Sequence, residues 1–114
     1  MKAFRIVLVS MFVSIVVYTA IAGLQHGWNL IPIFFNDIAA MTWPGQFNFD
    51  FSLFLIFSGL WVSWRNHFSL GGLILGSFAI VLGAMFLSAY LLYLSFKTNG
   101  NIKEMLLGKT RANS

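Results

Sequence analysis

Apolar residues in this chain come in long runs, separated by short polar stretches. Phe4 to Leu24 is apolar apart from Arg5, Ser10, Ser14, Tyr18 and Thr19. About 20 residues at 1.5 Å rise cross the roughly 30 Å hydrocarbon core of a bilayer, so this run predicts a membrane-spanning helix over 4–24. A competing pattern is a secretory signal, with Lys2 and Arg5 ahead of the apolar stretch and Ala20-Ile21-Ala22 as a cleavage site. The apolar stretch continues to Leu24, long for a signal core, and favours a retained helix.

Gln25 to Pro44 is mixed, with His26, Asn29, Pro32, Asn36, Asp37 and Thr42 among large apolar residues. Asn29 suits a helix cap and Pro32 a first turn. Phe34, Ile38 and Met41 then share one face. The pattern predicts a short interfacial or re-entrant helix over 33–42, flanked by Trp28 and Trp43 at head-group level. The alternative is a further crossing, which puts Asn36 and Asp37 at costly mid-membrane depth. A second crossing is predicted over 46–64, ending at Trp61 and Trp64, before the polar turn Arg65-Asn66-His67. A third is predicted over 69–96. Along it Gly72, Gly76, Ala79 and Gly83 are spaced four, three and four apart, a stripe of small residues of the kind that lets helices approach closely in lipid. The tail, 97–114, is basic; Ile102–Leu107 has room for one or two helical turns on the membrane surface, the alternative being a solvated tail.

Composition sharpens this reading. Of 114 residues, 59% are hydrophobic and 9% charged, where soluble domains carry about 25% charged. The predicted fold class is therefore an all-α integral membrane protein, one domain over 1–114, of three transmembrane helices plus the short helix; the alternative has four transmembrane helices. The net charge of +4 sits mostly near the two ends, which favours anionic lipid. Neither a basic face nor a fold for nucleic acid is visible. The absence of cysteine excludes disulfides, thiolate catalysis and Cys-ligated metal. Three crossings place the two basic ends on opposite sides, against the positive-inside rule; four would place both inside.

Candidate chemistry collects around Trp43-Pro44-Gly45-Gln46-Phe47-Asn48-Phe49-Asp50-Phe51, where the mixed segment gives way to the second crossing. With three crossings, His26, Asp37, Trp43, Gln46, Asn48 and Asp50 lie at one membrane face. Gln46 and Asp50, four apart, share a helix side. His26 with Asp37 or Asp50 is an acid–base or metal candidate, but its spacing matches no metal motif. The alternative reading is structural: Asp50 capping its helix, Asn48 satisfying the turn and His26 in water. His26 and His67 follow different crossings, so they do not pair across a haem. The many aromatic residues line either lipid or a pocket for a quinone, carotenoid or lipid tail. Small multidrug exporters have this length, but they carry an essential acid in the first helix and 4–24 has none.

The run Thr42–Phe51, with Ser58-Gly59-Leu60-Trp61-Val62 and Arg65 after it, resembles a group of short, uncharacterised bacterial inner-membrane proteins. The resemblance implies an inner-membrane location and brings no activity, cofactor or catalytic residue. The function expected from the sequence is non-enzymatic: an accessory or assembly subunit, or a homo-oligomer, packing through the Gly72/Gly76/Ala79/Gly83 stripe. The alternative is a binder or transporter component for a lipophilic molecule held at its polar end by Asp37, Gln46 and Asp50.

Overall fold

A computed structural model describes residues 1–113, and all their regular structure is helical. The order is α1 (Lys2–His26), α2 (Leu30–Ala39), α3 (Trp43–Arg65), α4 (Leu70–Leu82), α5 (Ala84–Lys97), α6 (Ile102–Leu107) and α7 (Lys109–Ala112). Only α1 and α3 are long and apolar enough to cross a membrane among these residues. With 25 and 23 residues they reach about 37 and 35 Å at 1.5 Å per residue. α2 has 10 residues, about 15 Å, too short for the further crossing.

The run read as a third crossing over 69–96 is not one helix. It divides at Gly83, whose φ of 60° and ψ of −129° suit glycine and strain any residue with a Cβ. The chain doubles back there. A Cβ on Gly72, near the start of α4, would lie 2.7 Å from Asn66 Cβ. The same Asn66 donates from Nδ2 to Tyr90 Oη in α5 at 3.0 Å. A continuous helix would hold residues 72 and 90 about 27 Å apart. Phe78 and Phe86 also stack across the bend, centroids 6.3 Å apart. Each arm of this hairpin, 13 and 14 residues, reaches only about 20 Å.

Each arm rests on one long helix. α4 runs antiparallel to α3, with Gly72 against Ser63 and Asn66, Gly76 against Gly59, and Gly83 against Leu55 and Phe51. A Cβ on Gly76 would lie 2.8 Å from the Gly59 carbonyl oxygen and strike the Ser63 hydroxyl, so the seam depends on backbone approach. The partner of the small-residue stripe is thus α3 of the same chain. α5 runs antiparallel to α1. Arg5 donates from Nε to Ser95 Oγ (3.0 Å) and from NH2 to Ser95 O (2.9 Å), with its guanidinium 4.0 Å from the Phe96 ring centre. α2 packs on the first turns of α3. The Asp37 carbonyl fills the place of a Cβ on Gly45, and Asn48 Nδ2 donates to Phe34 O at 3.3 Å. A small core of Val62, Ala79, Tyr90, Leu94 and Met105 joins α3, both hairpin arms and α6.

The tail is neither a free extension nor a solvated strand of chain. Arg65 donates to Met105 O (2.6 Å) and Glu104 O (3.0 Å), and Trp61 Nε1 to Leu106 O (3.0 Å). Arg111 donates to Trp64 O at 2.6 Å and lies 3.9 Å from that indole's centre. Met105 and Ala112 are buried as a result. Met1 meets Gly100. Both described ends of the chain, the α3–α4 turn and the α5–α6 turn therefore share one end of the molecule. All seven Lys and Arg, from Lys2 to Arg111, gather there; Asp37 and Asp50 lie in the other half.

Candidate functional site

Local sequence explains the corner that carries the expected site. Met41, at φ 57°, turns the chain out of α2. Thr42 is extended (φ −107°, ψ 178°) and Pro44 occupies the first turn of α3, as its fixed φ and missing N–H favour. Trp43 and Gln46 then line an apolar recess of about 590 Å³ between α2 and α3, with Ile38, Met41 and Phe49. Asn48 is committed to bracing α2 through Phe34 O. Asp37 is half-buried in α2, and His26 is exposed at the last residue of α1. Neither lies on the wall of the recess, nor does Asp50. Among the described residues no hydrogen bond joins His26 to either aspartate, and no three of His, Asp and Glu gather as metal ligands would.

α3 has two contrasting sides. Gly59, Val62 and Ser63 are buried toward the hairpin. Asp50 stands nine residues from Gly59, two and a half turns, and so on the opposite side. It is exposed, as is Gln46 one turn before it. Around them Phe47, Phe54 and Phe57 are 64, 67 and 69% exposed. Among the described residues the Asp50 carboxylate has no partner within the chain. It lies about 10 Å along α3 from Trp43.

A second cavity, of about 520 Å³, opens at the opposite end of the molecule. Two similar turns wall it. At the end of α3, Phe68 N–H donates to Ser63 O (2.8 Å), with His67 and Phe68 at φ 58° and 52°. At the end of α5, Gly100 N–H donates to Ser95 O (2.8 Å), with Asn99 and Gly100 at φ 53° and 79°. Each is the six-to-one closure of a Schellman-type cap. Each leads to a capped helix: Ser69 Oγ accepts from Gly72 N–H (3.1 Å) and Asn101 Oδ1 from Glu104 N–H (3.2 Å). Arg65, Lys97 and Lys109 bring three cations to the cavity, and Glu104 one acid.

Sequence reasoning missed this cavity, because its cations come from three separate segments. It also missed Gly59, whose place opposite Gly76 had a faint signal in the Ser58-Gly59 interruption of an otherwise bulky run. Comparison with protein-family models, with curated proteins and with solved structures finds no match.

Proposed function

We propose that this chain is a small, non-enzymatic multi-pass membrane protein that works as a homo-oligomeric subunit, its copies meeting through the outward side of α3. Support for the membrane setting is that α1 and α3 are strongly apolar yet mostly exposed, unlike the core helices of a water-soluble fold. In this reading α1 and α3 cross, the α4–α5 hairpin enters and leaves at one face, and both basic ends share that face. The positive-inside rule then assigns it to the cytoplasm, which removes the conflict that three crossings create. The resemblance noted above favours a bacterial inner membrane.

The observation that carries the oligomer is Asp50. A carboxylate facing hydrocarbon is costly and marks function by default. Gln46, one turn away, offers an amide donor. A side bearing both donor and acceptor is self-complementary about a two-fold axis, so a second copy satisfies it without a basic partner. The test is the mass of the purified protein in detergent or nanodiscs, for wild type and for Gln46→Leu/Asp50→Leu. Wild type should be a dimer or larger and the variant a folded monomer. A monomeric wild type, or an unchanged variant, contradicts the reading. Loss of a stoichiometric foreign protein, instead of a second copy, would make the chain an accessory subunit.

The apolar recess favours a second reading, a site for a lipophilic molecule with Trp43 and Gln46 at its mouth. Concave apolar walls with few polar groups suit such a ligand. Trp43→Ala should then lose a co-purifying lipophilic compound that wild type retains.

A further inference from the structure

We propose that the cavity between the α3–α4 and α5–α6 turns binds a phosphate-bearing anion, the chemistry of an anionic phospholipid head group at the membrane surface. This rests on the membrane setting proposed above but not on pairing through α3. The cavity has about 520 Å³ of space, enough for a head group. Arg65, Lys97 and Lys109 against Glu104 leave a formal excess of two positive charges. These cations converge from α3, α5 and α7, so the concentration of charge belongs to the fold, unlike a solvated basic run. Basic pockets between transmembrane helices on the cytoplasmic side are the usual seats of anionic head groups.

The site is also built before any ligand arrives. Arg65 is held by the Met105 and Glu104 carbonyls. Gly108 is buried at the wall with φ +86°, where a Cβ would lie 3.1 Å from Arg65 O, so α6, α7 and Arg65 stay in close register. Among the described residues the Lys109 ammonium and the Asn99 amide form no hydrogen bond within the chain, leaving donors for phosphate oxygens. Glu104 offers an acceptor to a head-group hydroxyl. Trp61 and Trp64 lie on the last turn and a half of α3, at the cavity's end of the molecule and at the level that tryptophan favours in a membrane. Of the basic residues of α6 and α7, Lys103 and Arg111 are outside the lining, and Lys103 supplies an internal control.

The experiment uses the full chain in detergent, exposed to equal amounts of phosphatidylglycerol and phosphatidylcholine, with retained lipid counted by native mass spectrometry. Wild type should retain phosphatidylglycerol preferentially. Lys97→Gln/Lys109→Gln should cut that preference by about thirty-fold, at about 1 kcal/mol per lysine near the surface; Lys103→Gln should change it less than about two-fold. Displacement by added inorganic phosphate would identify a soluble phosphate compound as the ligand; retention would identify the lipid head group. No preference for phosphatidylglycerol, or equal losses in Lys103→Gln and the double variant, would overturn the proposal. A monomeric mass in the same spectra would overturn pairing through α3 and leave the lipid result standing.

Discussion

α3 and the run from Leu70 to Lys97 are both apolar and of comparable length, yet only one passes straight through the molecule. α3 continues over 23 residues because none of them, its glycines included, takes a positive φ, and its small residues serve only for close packing. Gly45 meets α2 and Gly59 meets α4. The other run carries small residues too, but at Gly83 the backbone enters a conformation that only glycine adopts readily. Phe51 and Leu55 of α3 close over that point. Apolar length therefore sets what a segment is able to do, and backbone conformation at one residue decides what it does.

The sharpest way to break this contrast is at the seam between the two. Gly76→Leu would force a side chain into the Gly59 carbonyl, a backbone group with no rotamer to give way. A cost of about 3 kcal/mol or more is expected, seen as loss of a cooperative thermal transition in detergent. Retained stability would mean that α4 does not rest on α3 at this distance. Next in size is the bend itself. Gly83→Val places a β-branched residue at positive φ and should cost about 2 kcal/mol, with the run pushed toward a continuous helix. Thermal stability reports the cost. The smallest effect concerns the entry to the hairpin: Ser69→Ala removes the cap on Gly72 N–H and should cost about 1 kcal/mol, without altering oligomeric mass.

The helical class of this fold was legible because runs of about 20 apolar residues leave few alternatives. The doubling-back was not, because hydropathy carries no record of φ and Gly83 fits a packing stripe as readily as a turn. The ends were misleading for a related reason. Arg5, Arg65 and Arg111 look like membrane-surface charges in sequence. In the fold each spends hydrogen bonds on backbone carbonyls of a neighbouring segment, tying the termini to one end. Among the expected site residues, Trp43 and Gln46 reach a recess because they follow Thr42 and Pro44 into the first turn of α3. His26, Asp37, Asn48 and Asp50 scatter, since sharing one end of a bundle does not mean facing one cavity. Asp50 nevertheless stands out by its depth along an exposed helix side, and that signal, four residues from Gln46, was present in the sequence.

The proposed two-crossing arrangement, with a hairpin that returns to its own side, fixes which segments share a membrane face. The chain has no cysteine, so single cysteines report without background. The most direct measurement is labelling of His26→Cys, His67→Cys and Asn113→Cys in sealed membrane vesicles of known orientation, using a membrane-impermeant thiol reagent. Positions 67 and 113 should label from the same side and position 26 from the other. Labelling of 113 together with 26, and apart from 67, would show that the run over 69–96 crosses the membrane after all.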